Sequence, residues 1–68
     1  KVLARTIERF LDTLNRENRV IFMRRYWYSD SYAAIAALTG LTEKNVSVRL
    51  ARVRKQLRDY LMKQGVLT

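Results

Sequence analysis

The apolar residues of this 68-residue chain recur at steps of three and four along nearly its whole length, and no proline interrupts them. Because an α-helix turns once about every 3.6 residues, such steps place side chains along one helical face. The pattern therefore predicts an all-α fold. A chain of this length allows one domain with a thin core, and we expect that domain to span residues 1–68.

Capping residues and breaks in the periodicity divide the chain into four predicted helices. Their bounds are Val2–Thr13, a second helix that follows an Asn15 N-cap and continues through Trp27, Tyr32–Thr39 after a Ser31 N-cap, and Glu43–Lys63 after a Thr42 N-cap. The second helix carries the densest apolar run, so we expect it to be the most buried. The predicted inner stripe of the first helix is Leu3, Ile7, Phe10, Leu11 and Leu14.

The charge of the chain is strongly positive. Lysine and arginine number 14 against 6 acidic residues, which gives a formal net charge of +8. This density favours a polyanionic partner, with nucleic acid first and an anionic membrane surface second. The alternative is a surface whose charge serves only solubility. No apolar stretch approaches the length of a membrane span. We expect no membrane partner, and the absence of cysteine fits a cytoplasmic location.

Several function classes are excluded by composition. The chain contains no cysteine and no histidine, so it has no disulfide, Cys/His zinc site, thiol nucleophile or imidazole base. Glu8 and Asp12 can share a helix face, but Arg5 and Arg9 flank them, which favours a solvated ion-pair face over a catalytic dyad. We therefore expect no enzyme, no catalytic residue, no metal or cofactor, and no small-molecule substrate.

The fourth predicted helix has two contrasting sides. Its predicted inner stripe is Val46, Leu50, Val53, Leu57, Tyr60 and Leu61. Its opposite side carries Lys44, Val48, Ala51, Arg52 and Lys55, with Arg49, Arg54 and Arg58 on the flanks. A single exposed valine such as Val48 is common on protein surfaces. In the major groove of DNA, however, an apolar side chain contacts the thymine methyl group.

A short helix, a glycine turn and a long basic helix together form the pattern of a helix-turn-helix. Ala36 is small enough for the two helices to cross closely, and Gly40 tolerates the positive φ that a tight turn needs. Ile35, Leu41 and Val46 are predicted to close the small core between the helices. An ordinary corner of two helices in a bundle is the alternative.

Three segments of the sequence resemble region 4 of bacterial RNA polymerase sigma factors, most closely the extracytoplasmic-function group. These segments are Val20–Trp27, Ser31–Ala36 and Thr39–Leu57. Two single residues depart from the family pattern. Thr39 stands where a leucine is usual, and Ala34 stands where an acidic residue is frequent. The turn of residues 28–30 departs as well, but no departure removes a position that faces DNA.

The resemblance implies a function and partners. Region 4 binds the promoter −35 element as duplex DNA, with its last helix in the major groove. Its first two helices contact the flap of the polymerase β subunit, and anti-sigma factors commonly mask the domain. We therefore expect promoter DNA, RNA polymerase core and an anti-sigma factor as partners, and we expect the chain to be a piece of a longer sigma factor.

The resemblance also assigns site residues. The side chains matched to base-reading positions are Lys44, Asn45, Ser47, Val48, Ala51 and Arg52. Arg25 and Ser31 match positions that meet DNA phosphates in the family. With Tyr32 and the basic side chains of the fourth helix, the predicted phosphate contacts are Arg25, Ser31, Tyr32, Arg49, Arg54 and Lys55. The chemistry agrees, because asparagine pairs with adenine, arginine or lysine pairs with guanine, and basic side chains clamp phosphates. For any one arginine, the alternatives are a solvated charge and an ion pair within the chain.

Two other functions fit parts of the pattern. A response-regulator effector domain looks similar through the turn, but it usually has a shorter recognition helix and dimerises through its last helix. A protein-interaction module would bind polymerase or an anti-sigma factor without specific DNA contact. Trp27 is expected in the core, whereas Tyr28 is either a core residue or part of an exposed patch for a protein partner.

Overall fold

The computed structural model describes the backbone of residues 2–65 and the side chains of residues 3–65, and within this range it is all-helical. The helices are α1 (Val2–Thr13), α2 (Arg16–Tyr26), α3 (Tyr32–Thr39) and α4 (Glu43–Lys63). The all-α prediction is confirmed. The second helix ends one residue earlier than predicted, with Trp27 as its C-cap. Between residues 2 and 65, no helix is both long and apolar enough to cross a membrane.

Three of the four helices begin at a side-chain N-cap. Asn15, Ser31 and Thr42 each accept a hydrogen bond from the backbone N–H three residues further on, at 2.8, 3.0 and 3.1 Å. These bonds satisfy N–H groups that the first helical turn leaves unpaired. All three predicted N-caps are confirmed, and each is local enough to follow from the sequence.

The core joins α2, α3 and α4. Its fully buried members are Ile21, Ile35, Val46 and Leu50. The expectation that the second helix is the most buried is wrong, because Ile21 is its one buried residue whereas α4 contributes four. The reason is geometric: α4 packs against each of the other three helices, so its inner stripe is covered along its length.

The N-terminal helix α1 is anchored through Phe10. This side chain is buried, and its ring centroid lies 5.5 Å from that of Tyr60 on α4. Leu3 was predicted for the inner stripe, but it is 50% exposed. The start of α1 therefore leaves apolar surface uncovered.

Trp27 is expected in the core, but 73% of its surface is exposed, so this prediction is wrong. It follows the last turn of α2 as the C-cap residue. At about 100° per residue, a side chain six positions after Ile21 points roughly 120° away from the core direction. The tryptophan therefore lies on the surface beside the core.

Candidate nucleic-acid interface

The turn between α3 and α4 fixes the angle at which α4 is presented. Gly40 adopts φ +78°, and its N–H donates to the Ala36 carbonyl at 2.9 Å. Ile35 and Val46 are fully buried against each other's helices, with Leu41 partly buried beside them. This is the small core predicted from the sequence. Because both helices share it, α4 is held firmly against α3.

Thr39, one of the departures from the family pattern, is bonded within this turn. Its hydroxyl donates to the Ile35 carbonyl at 2.8 Å, and the N–H of Leu41 donates back to the Thr39 hydroxyl at 3.4 Å. Short polar side chains often bond nearby backbone groups in this way at helix ends and turns. The threonine therefore replaces the packing of a leucine with hydrogen bonds.

The outer side of α4 is a continuous exposed surface. The helix is unbroken from Glu43 to Lys63, and its sequence-predicted inner stripe faces the protein. Val48 is 40% exposed, as predicted for a residue opposite that stripe. Of the six candidate base-reading residues, Ser47 is half-buried and the others are exposed: Lys44, Asn45, Val48, Ala51 and Arg52.

The basic residues near the C-terminal half of α4 surround a shallow depression. It has a volume of about 410 Å³ and is lined by Ala51, Arg54, Lys55 and Arg58. Three cations around one small side chain form a concave positive surface. Such a surface attracts phosphate groups, because clustered like charges raise the local potential.

The three phosphate candidates outside α4 lie together at the start of α3. The Arg25 guanidinium stacks 4.6 Å from the centroid of the Tyr32 ring, and its Nη1 donates to the Asp30 carbonyl at 3.1 Å. Ser31 is the N-cap of the same helix. The structure therefore brings Arg25, Ser31 and Tyr32 together around the start of α3.

The sequence alone assigned no role to Arg24 and Asp30, which are bonded to each other beside this cluster. Arg24 donates through Nε to Asp30 Oδ2 at 2.7 Å, and its guanidinium lies 4.6 Å from the centroid of the Tyr28 ring. The intervening Ser29 has a φ of +57°. The sequence signal was the pair Arg24 and Arg25, followed by Tyr28 and Tyr32 with Asp30 between the two tyrosines. Such neighbouring arginines and tyrosines can form cation–π contacts.

Arg49 is hydrogen-bonded to two side chains of α2. Its Nη1 donates to Glu17 Oε1 at 2.6 Å and to Asn18 Oδ1 at 3.2 Å. This is the intrachain pair that the sequence left open as an alternative. Its assigned phosphate contact stays a prediction, because a guanidinium has further N–H donors.

Arg54 is oriented by tyrosines. Its Nη1 donates to the Tyr26 hydroxyl at 2.9 Å. The hydroxyls of Tyr26 and then Tyr32 accept hydrogen bonds from Arg54 and raise its pKa above the usual value. The last phosphate candidate, Lys55, is exposed on the same helix.

A separate apolar groove lies between α1 and the end of α2. A cavity of about 400 Å³ adjoins one of about 640 Å³, and both are lined by Ile7, Leu11 and Trp27. Phe22, Met23 and other side chains complete the walls. An exposed apolar groove is one of the surface features found at protein-binding and ligand-binding sites. The residues of this groove are not those of the outer side of α4, except that Arg54 touches both.

The side chains of residues 3–65 form no group of three or more His, Cys, Asp or Glu that could hold a metal ion. The arrangement instead suits contact with a large anionic surface. A comparison with protein families matched residues 4–57 to the family described as Sigma-70, region 4. A comparison with curated proteins gave no match.

Proposed function

The chain belongs to the sigma-70 region 4 family, and from this premise we propose that it binds the promoter −35 element as duplex DNA. The family match, over residues 4–57, confirms the resemblance seen in the sequence. The chain is a sigma factor domain of transcription initiation with a DNA-binding helix-turn-helix, and the family is regulatory rather than catalytic. Membership also sets aside the response-regulator alternative. The extracytoplasmic-function subgroup stays a prediction.

The proposal depends mainly on one observation: helix α4 has a buried side and an exposed side. Val46, Leu50 and Val53 are buried on one side, whereas Val48 and Arg52 are exposed on the other. The major groove of B-DNA is wide enough to admit one α-helix. A helix held by its neighbours along one side presents the other side without further ordering, which lowers the entropic cost of binding.

We assign two kinds of contact to this surface. Asn45 pairs with adenine, Arg52 or Lys44 pairs with guanine, and Val48 packs on a thymine methyl group. Ser47 and the small Ala51 allow the helix to approach the base edges. The phosphate contacts are assigned to Arg25, Ser31, Tyr32, Arg49, Arg54 and Lys55. Phosphate contacts set the register, and base contacts set the sequence preference.

The apolar groove is the surface that we assign to RNA polymerase. It lies on α1 and α2, the helices that the family resemblance places against the β-subunit flap. Trp27 contributes the largest exposed aromatic side chain at this groove, and tryptophan is enriched among residues that dominate binding energy. An anti-sigma factor that covers the groove would compete with polymerase.

The test begins with selection of duplexes from a random pool, with and without polymerase core. The enriched duplex is then titrated with the chain and with Arg52→Ala. Loss of one bidentate base contact predicts about 5- to 150-fold weaker binding to the enriched duplex, and a much smaller change for a scrambled duplex. The control is Arg5→Ala, which removes the same charge from the exposed side of α1.

Three outcomes contradict parts of the proposal. If no sequence is enriched, the chain does not read a promoter element, and a pure protein-interaction module becomes the better description. If Arg52→Ala weakens binding equally for every duplex and changes only the salt dependence, Arg52 contacts phosphate rather than a base. If Arg5→Ala matches Arg52→Ala, the effect is one of overall charge.

A further inference from the structure

A polar contact joins the first turn of α2 to the middle of α4. Arg49 Nη1 donates to Glu17 Oε1 at 2.6 Å and to Asn18 Oδ1 at 3.2 Å, across 32 residues of sequence. This contact joins a guanidinium to a carboxylate, so it is a charge-assisted and directional hydrogen bond. The contact therefore ties the recognition helix to an element that lies outside the helix-turn-helix.

Arg49 lies where the buried and the outer sides of α4 meet. It follows Val48 on the outer side and precedes Leu50 in the core, and 34% of its side chain is exposed. Among the described residues, both of its hydrogen bonds run through Nη1. A guanidinium carries five N–H donors in a rigid planar fork. The bonds to the protein use Nη1, so Nε and Nη2 still carry N–H donors for a further acceptor.

Helix α3 has the sequence YAAIAALT and contains no acidic residue. The acid that holds Arg49 is Glu17 on α2. Its carboxylate sits on a net-positive chain that is to approach DNA, where a negative charge near the interface opposes binding. A role in orientation accounts for an acid at this location.

We propose that Glu17 is a positioning residue for DNA recognition. Its carboxylate holds Arg49 by one edge, so that the other N–H donors face a backbone phosphate and fix the register of α4 in the groove. The proposal rests on the proposed binding of duplex DNA. It adds that a residue of α2, without touching DNA, controls a phosphate contact made by α4.

Simple electrostatics and positioning predict opposite results for Glu17→Gln. The substitution removes one negative charge, so electrostatics alone predicts tighter binding and an equal or stronger salt dependence. Positioning predicts the loss of one phosphate contact. The slope of log K against log salt should then become shallower by about 0.9, and affinity should fall about three- to tenfold.

The experiment titrates the duplex enriched from the random pool, at several salt concentrations, with the whole chain and its variants. Glu8→Gln is the matched control, because it makes the same chemical change on an exposed residue of α1. It should leave the slope unchanged and the affinity equal or slightly higher. Circular dichroism checks that each variant is folded. If Glu17→Gln does not fold, Glu17→Asp, whose carboxylate reaches one methylene less far, carries the same prediction.

A double-mutant cycle shows whether Glu17 acts through Arg49. Arg49→Ala alone should flatten the salt slope, and adding Glu17→Gln should cause no further loss of slope or affinity, because the residue that Glu17 positions is gone and only the removal of one negative charge remains. Tighter binding or an unchanged slope for Glu17→Gln would overturn the inference, as would additive effects in the double variant. If the parent chain enriches no duplex, the proposed function fails. If it does and Glu17→Gln behaves like Glu8→Gln, this inference alone fails.

Discussion

The helix-turn-helix formed by α3 and α4 and the edge formed by α1 and the end of α2 use apolar residues in opposite ways. In the helix-turn-helix, Ile35, Val46 and Leu50 are fully buried, and the outward side of α4 is largely charged. At the other edge, Leu3 and Trp27 are exposed around an apolar groove. One region is packed to hold a polar surface rigidly, and the other leaves apolar surface exposed, which we propose as the site of a protein partner.

We expect the greatest difference between the two regions in the free energy of unfolding, when leucine is replaced by alanine in each. Leu50→Ala removes a fully buried side chain and should lower the free energy of unfolding by about 2–5 kcal/mol. Leu3→Ala removes a half-exposed one and should cost under about 1 kcal/mol. Chemical denaturation of both variants measures the difference. Equal costs would mean that the start of α1 is packed as tightly as the helix-turn-helix.

A second comparison separates the groove from other exposed apolar residues. Trp27→Ala should weaken binding of the chain to polymerase core by about 2 kcal/mol, as for an interface hot spot. Its free energy of unfolding should change by only about 0.5 kcal/mol, since the side chain is mostly exposed. Leu38→Ala is the control, because Leu38 is an exposed apolar residue on α3.

Binding to polymerase core is measured with each labelled variant, and thermal unfolding is measured beside it. Leu38→Ala should bind like the parent chain. Equal losses for both variants would show that exposed apolar surface in general, rather than this groove, contacts polymerase. An unchanged Trp27→Ala variant would remove the groove from the proposed interface.

The two regions also differ in how much of them the sequence predicts. The helix-turn-helix depends on local signals, such as the caps Ser31 and Thr42 and the glycine at position 40, so its bounds follow from the sequence. Leu3 and Trp27 are exposed, although the apolar character of both side chains predicts burial. Which neighbouring helices cover a side chain is a property of packing, and local sequence does not give it.

The candidate interface also contains some features that the sequence predicts and others that it does not. Periodicity alone places Val48 and Arg52 on the outer side of α4, because both lie on one regular helix. The partner of Arg49 is 32 residues away, and no pattern along the chain reveals a contact over that separation. The same holds for Arg54, which the sequence places on a flank and the structure bonds to Tyr26.

We propose above all that the outer side of α4 is the surface that contacts duplex DNA. The most direct measurement is a titration of the isotope-labelled chain with the enriched duplex, followed by the backbone amide shifts in nuclear magnetic resonance. We predict the largest shifts along residues 44–55 and at the start of α3, with the indole N–H of Trp27 unchanged. Shifts concentrated at Trp27 and along α1, with residues 44–55 unaffected, would contradict the claim.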